Sequence, residues 1–197
     1  MVRQQSPVLF SGISMIVRMA LSALLPVATA AAILSSPSEA HASEPDRKFF
    51  NKVEGAWSGP GEIVAGKYKG TRFTCNFTGI TDKQKVGVSL DGGCRVGLFT
   101  QKMSAIVEHA GRKGYRGTFM DGAVGEGLDV VGGSVKGHKV TLNLTRNQLN
   151  GAMLASLPDD DTLHVTVSVR VDQQMVPVIG MNLKRVSASS IGAIAGK

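Results

Sequence analysis

Much of the chain alternates apolar and polar residues with a period of two. The clearest runs are VTLNLT at 140–145 and LHVTVSVRV at 163–171, and the same alternation puts Cys94, Val96 and Leu98 on one face. Strict alternation is typical of antiparallel strands that bury one side. Turn signals such as Asp91-Gly92-Gly93 and Lys136-Gly137-His138 separate the runs. The pattern predicts an all-β protein, a single antiparallel up-and-down β-barrel of about eight strands.

Two segments depart from this period. Residues 43–54 predict a short N-terminal helix, because Phe49, Phe50 and Val53 recur at near-helical spacing before Gly55. Between Arg146 and Leu157 the large apolar residues also recur at helix-like spacing, which predicts either a short helix or a long loop that covers the barrel. The single tryptophan, Trp57, follows the first helix. Since Trp buries more area than other side chains, we expect it to fill the barrel core.

The first 42 residues have the features of a secretory signal peptide. Basic residues precede an apolar stretch rich in Ala and Leu, and Ala40-His41-Ala42 is a small-x-small cleavage site. We expect translation from Met1 or Met15 and cleavage before Ser43, which leaves a barrel domain at 43–186 and a flexible tail at 187–197. A retained anchor helix is the alternative, although the apolar stretch is shorter than the ~20 residues that span a bilayer. The expected product is exported, periplasmic or secreted, and does not span a membrane after cleavage.

Cys75 and Cys94 are the only cysteines, and both follow the predicted cleavage site. Two cysteines in an exported protein usually form a disulfide, with two buried free thiols as the alternative. Opposed residues in an antiparallel hairpin have a constant index sum, so a Cys75–Cys94 bond across neighbouring strands centres the turn near Gln84-Lys85. Both cysteines lie on apolar faces of their runs. The bond is therefore predicted inside the barrel, beside Phe73 and Phe77.

The chain is basic, with a formal net charge of +7. That charge favours attraction to an anionic component of the cell envelope, and its diffuse distribution together with export argues against nucleic acid. The densest basic clusters are Lys67, Lys69 and Arg72, and Arg112, Lys113 and Arg116 around Tyr115. Each predicts either a docking surface for an anionic partner or simply a solvated sheet edge.

Catalytic and metal signatures are weak. The sequence has no Gly-x-Ser-x-Gly elbow and no Gly-rich phosphate loop, and its mature histidines lack metal-ligand spacing. Asp159-Asp160-Asp161 is interpreted as a solvated turn rather than a calcium loop. We therefore expect no enzyme, no metal site and no cofactor. The candidate ligand-binding residues are Phe73, Phe77, Met103 and His109, and haem held by His109 or Met103 is the alternative.

Gly55-Ala56-Trp57 after a short helix resembles the Gly-x-Trp signature of the lipocalins and the wider calycins. In that family an Arg late in the last strand packs over the Trp, and Arg185 holds the matching place, with Lys184 as the alternative. The resemblance implies structural roles for Trp57 and Arg185 and a barrel that carries ligands in its mouth. A guanidinium plane stacks well on indole and bonds backbone carbonyls. The chain also looks like small exported proteobacterial proteins of unassigned activity, through Trp57-Ser58-Gly59 and Gly93-Cys94.

Three function classes follow. The leading hypothesis is an exported, non-catalytic barrel, a binding or envelope-support module for a small apolar ligand or an envelope partner. The second is an interaction protein without a cavity that acts through its basic surface, and the third is a haem- or cofactor-bearing barrel or an enzyme. An apolar interior with free space favours the first class, whereas an interior filled by its own side chains favours the second.

Overall fold

The computed structural model describes residues 43–120 and 127–187. The predicted signal peptide lies outside these ranges, and so does the predicted tail except for Ser187. Helix α1 covers Glu44–Val53, and Gly111–Lys113 forms a single 3-10 turn. No helix in the described ranges is long and apolar enough to cross a membrane.

Ten strands follow the helix. In chain order, β1 to β10 are Gly55–Ile63, Arg72–Ile80, Gly87–Val96, Phe99–His109, Tyr115–Met120, Leu128–Lys136, Lys139–Arg146, Leu149–Asp159, Thr162–Val171 and Gln174–Arg185. Each strand pairs antiparallel with its neighbours in the chain, and β1 pairs with β10 to close the barrel. The predicted all-β, up-and-down barrel is confirmed, but it has ten strands rather than about eight.

Strand β8 occupies the segment for which the spacing predicts a short helix or a covering loop, and that prediction is wrong. The helix-like spacing arises because large apolar residues stand on both faces of the strand. Leu157 is buried, whereas Leu149 and Leu154 are 56% and 40% exposed. Pairing along both edges, with β7 and with β9, overrides the local spacing.

Alternation is strictest in β7, where Val140, Leu142 and Leu144 are each 3% exposed and point into the barrel. It fails at the end of β3. Val96 and Leu98 are 42% and 97% exposed, so the prediction that they share the buried face of Cys94 is wrong. The physical reason is the turn between β3 and β4 at residues 97–98, which carries both side chains beyond the barrel wall.

Helix α1 packs against one end of the barrel and buries the residues that the spacing selected: Phe49, Phe50 and Val53 are 3%, 2% and 5% exposed. We call this end the helix end. Because the strands alternate in direction, the connections at 64–71, 97–98, 147–148 and 172–173 all lie at the opposite end, which we call the far end.

Candidate functional site

Trp57 forms the floor of the barrel interior and is 1% exposed. Its indole Nε1 donates a hydrogen bond to the carbonyl of Val53, 2.8 Å away, at the last residue of α1. The guanidinium of Arg185 lies 4.3 Å from the centre of the Trp57 ring. This is the contact that the Gly-x-Trp resemblance predicts, and Arg185 rather than Lys184 makes it.

Arg185 also joins three segments of the helix end. Its Nη2 and Nη1 donate to the carbonyls of Lys52 and Glu54, at 2.7 Å each, and its Nε donates to the carbonyl of Asp160 at 2.9 Å. The guanidinium thus satisfies carbonyls that the end of a helix leaves without partners. Asp160 belongs to the aspartate turn between β8 and β9, so the same side chain ties that turn to the helix.

The structure explains why the first residue of the Gly-x-Trp motif, Gly55, is a glycine. Its φ of +111° is in a region that other residues rarely adopt. A Cβ at this position would stand 2.8 Å from Nη1 of Arg185. The close approach of the guanidinium to the first strand therefore requires glycine.

Cys75 and Cys94 form a disulfide and pair directly across β2 and β3. Their register is continuous with the pair Ile80 and Ser89, which places the centre of the connection at Gln84-Lys85, as predicted. Both cysteines are buried, at 0% and 8% exposed. The disulfide is therefore inside the barrel.

The interior holds an apolar cavity of about 90 Å³ between the Trp57 floor and the far end. Its wall consists almost wholly of aliphatic, aromatic and thioether side chains. The lining residues are Trp57, Phe77, Leu90, Met103, Ser104, Ala105, Phe119, Met120, Met153, Leu163, Val165, Met181 and Leu183. Ser104 is the single hydroxyl among them, and none of them ionises near neutral pH. A cavity with this lining is suited to an uncharged, apolar occupant and offers little to hold water.

Methionine is prominent in the lining. Met103, Met153 and Met181 come from three different strands, β4, β8 and β10. Sδ of Met181 also lies 3.8 Å from Sγ of Cys75, so the disulfide stands directly behind the cavity wall. Because methionine is unbranched and flexible, such a wall adapts its shape to an occupant more readily than leucine or valine does.

Two of the four candidate ligand-binding residues, Phe77 and Met103, line the cavity, whereas Phe73 and His109 do not. Phe73 packs over Gly61 of the neighbouring strand, near Met181. His109 lies at the helix end, where its ring makes an edge contact with Tyr115 at 5.4 Å between centroids. The structure therefore does not bring the four residues together.

Because basic residues surround Tyr115 in the sequence, we interpreted it as part of a basic surface cluster, and that interpretation is wrong. It is 1% exposed and packs against Phe50 of α1, with ring centroids 5.2 Å apart. Its hydroxyl donates a 2.6 Å hydrogen bond to Oδ2 of Asp46. Burial raises the pKa of Tyr115 far above its ordinary value, and the hydrogen bond to Asp46 and its negative charge raise it further. The alternation of Tyr115, Gly117 and Phe119 is the signal that identifies this inward position.

The haem alternative finds little support in these residues. The described lining residues supply thioethers as axial ligands but no imidazole. His109 is at the helix end, His138 is in an exposed turn, and His164 contacts Oδ1 of Asn182. A cavity of about 90 Å³ is also far below the roughly 300 Å³ at which cofactor pockets begin. In the described ranges no three His, Cys, Asp or Glu side chains are grouped so as to hold a metal ion.

Comparison with known proteins adds a similarity in structure. No protein-family model and no curated protein matches the chain, so the calycin resemblance has no independent support. Among solved structures, the chain is similar to the crystal structure of Rv2717c from M. tuberculosis, with a TM-score of 0.41 and 14% sequence identity. The match covers 73% of this chain and 98% of that chain. A similarity at this level assigns neither a family nor a function.

Proposed function

We propose that this protein is an exported, non-catalytic barrel that holds a small apolar ligand in its interior cavity. The observation that carries the proposal is the cavity of about 90 Å³ lined by Trp57, aliphatic groups and methionines. It favours a carrier over a barrel filled by its own side chains. The absence of any ionisable group among the described lining residues favours binding over acid–base or nucleophilic chemistry.

Export is part of the proposal. A disulfide between Cys75 and Cys94 suits an oxidising compartment, since cytosolic thiols are usually kept reduced. The features of a signal peptide in residues 1–42 point the same way. N-terminal sequencing of the protein recovered from the cell envelope tests this directly, and we expect the mature chain to begin at Ser43. An N-terminus at Met1 or Met15 in that fraction would contradict cleavage.

The size of the cavity predicts the ligand class. About 90 Å³ is smaller than the 150 Å³ engineered cavity that admits benzene. The occupant is therefore a short aliphatic compound or one end of a longer alkyl chain. Burying each additional methylene contributes about 0.8 kcal/mol, so affinity for straight-chain alcohols should rise about fourfold per carbon and then level off when the cavity is full.

The test is a titration with straight-chain alcohols of increasing length. Binding is followed by Trp57 emission and by the methyl NMR signals of Met103, Met153 and Met181, all of which line the cavity. Ala105→Leu fills the space from the cavity wall, and Ile106→Leu places the same side chain one residue away, where Ile106 is 54% exposed. We expect Ala105→Leu to abolish the response and Ile106→Leu to leave it unchanged. No response in the parent, or an equal response in both variants, would overturn the proposal.

A further inference from the structure

Exposed apolar residues are concentrated at the far end of the barrel. Six of them stand at or beside four of its connections, and we call this set the far-end rim: Tyr68, Val96, Leu98, Phe99, Leu149 and Val171. Their exposed fractions are 64%, 42%, 97%, 83%, 56% and 51%. Toward the helix end, by contrast, the described large apolar residues with comparable exposure are two, Ile80 at 63% and Ile106 at 54%, which both pair with Ser89. The rim is therefore a feature of one end and not of the whole surface.

The most prominent part of the rim is the turn between β3 and β4. Gly97 has a φ of +58°, which allows a two-residue turn, and Leu98 stands at its tip almost completely exposed. Val96 and Phe99 are opposed in the ladder directly behind it. Three apolar side chains within four residues, those of Val96, Leu98 and Phe99, thus project from the barrel and are largely exposed.

Cations alternate with these apolar residues. Lys67 and Lys69 flank Tyr68, Arg95 precedes Val96, and Arg170 precedes Val171. At the helix end several basic side chains are already engaged, as in the Lys52–Asp160 and Lys85–Glu108 ion pairs. Among the described residues, the side chains of Lys69, Arg95 and Arg170 have no ion-pair or hydrogen-bond partner.

Acidic residues are fewer at this end. The described carboxylates there are Glu62, Asp129 and Asp172, and Glu62 already pairs with Arg72 at 3.6 Å. The far end therefore presents apolar tips, three of which (Tyr68, Val96 and Val171) have a cation beside them in the sequence, with a local excess of positive charge.

We propose that the far-end rim docks the barrel onto the surface of an anionic phospholipid bilayer. Apolar and aromatic tips enter the boundary between head groups and acyl chains, while Lys and Arg beside them reach the phosphates. The separation of the tips over four connections favours a bilayer over a protein partner, because a protein interface buries a contiguous, closely packed patch. This docking is independent of whether the interior cavity holds a ligand.

The experiment is co-sedimentation with vesicles of phosphatidylcholine, with and without phosphatidylglycerol. The protein is used in the form that cells accumulate, with its N-terminus defined by mass. We expect binding to the anionic vesicles only, and weaker binding as salt rises. A Phe99→Trp variant should show a blue shift of its emission on binding, which locates the rim at the bilayer.

Matched variants distinguish vesicle binding through the far-end rim from non-specific binding. Leu98→Ser and Phe99→Ser should each weaken binding about tenfold or more, because burial of one such side chain is lost. Ile80→Ser makes the same change at the helix end and should have no effect. The double change Lys67→Gln and Lys69→Gln should weaken binding on the order of thirtyfold, against little change for Lys136→Gln and Lys139→Gln at the helix end.

All these positions are exposed, so the variants should melt like the parent. The proposal is overturned if the parent binds neither kind of vesicle, or if the rim variants and the helix-end variants bind equally. It is also overturned if Leu98→Ser abolishes self-association or the capture of a protein partner while vesicle binding is unchanged. Alcohol binding measured in the same variants reports on the cavity separately.

Discussion

Arg185→Met tests whether the guanidinium holds the helix end together. The variant retains an apolar stem but loses the cation and its donors. The lost interactions are the hydrogen bonds to the carbonyls of Lys52, Glu54 and Asp160, the contact with the ring of Trp57, and a 3.6 Å ion pair with the exposed carboxylate of Asp161, which adds little. At a partly exposed site each bond contributes about 1 kcal/mol net, and the cation–π contact adds about 0.5–1 kcal/mol. We therefore expect the free energy of unfolding to fall by about 3–4 kcal/mol.

The assay is urea unfolding followed by the emission of Trp57. Lys184→Met is the matched control, because Lys184 precedes Arg185 and its side chain donates one hydrogen bond, to Oγ1 of Thr162 at 2.5 Å. That variant should lose about 1 kcal/mol or less. The melting temperature of the Arg185→Met variant should fall by roughly 10 °C, given a domain of this size.

Arg185→Lys refines the same test. Lysine keeps the charge but cannot reach three carbonyls in the fork geometry of a guanidinium, so we expect it to recover less than half of the loss. The reasoning is refuted if Arg185→Met and Lys184→Met destabilise the barrel equally. It is also refuted if Arg185→Lys unfolds like the parent, because a point charge would then be sufficient.

Three further predictions concern the core and the helix end. Trp57→Ala truncates a side chain that is 1% exposed and should cost about 3–5 kcal/mol by calorimetry, so a melt like that of the parent would contradict its central role. Replacing both Cys75 and Cys94 by Ala removes a constraint between positions 19 residues apart and should cost about 3 kcal/mol, except in reductant, where parent and variant should unfold alike. Because the pKa of Tyr115 is raised in the folded state, its protonated form contributes stability that is complete below about pH 10 and is lost as pH rises further. Tyr115→Phe should therefore flatten the fall in stability above about pH 10 and leave the slope below that pH unchanged, and equal slopes in parent and variant above about pH 10 would show that the contact with Asp46 is not responsible.

The parts of the fold that could be predicted are those in which local pattern and pairing agree. Strand β7 alternates strictly because one face is buried along its whole length, and the two cysteines determine the register of β2 on β3. These two features need only the period of two and the order of the strands. The pairing of Trp57 with Arg185 was instead implied by the Gly-x-Trp resemblance, which left Lys184 as the alternative, and the closure of β1 on β10 brings the two residues opposite each other.

The missed features depend on contacts that the local sequence does not encode. In β8, the exposure of Leu149 and Leu154 obscures the inward face, and only pairing with both neighbours fixes the strand. In β6, the register shifts between Val130 and Gly132, so a strict alternation is interrupted. The cavity could not be predicted from the sequence either, because its free volume is what remains after side chains from eight strands have packed. Of the four candidate residues, only Phe77 and Met103 reach it.

The pairing of β1 with β10 also bears on the order in which the molecule folds. Nine of the ten strand pairs join neighbours in sequence, whereas this one brings Trp57 opposite Arg185 across nearly the whole domain. Contacts between such distant residues form late, because a long segment must first be ordered. Until the last strand is available, β1 and β9 remain unpaired edges that invite association with other chains. We therefore expect loss of the final strand to leave an aggregation-prone open sheet. Arg185 lies in that strand, so its contacts with the helix end form late in folding and close the barrel.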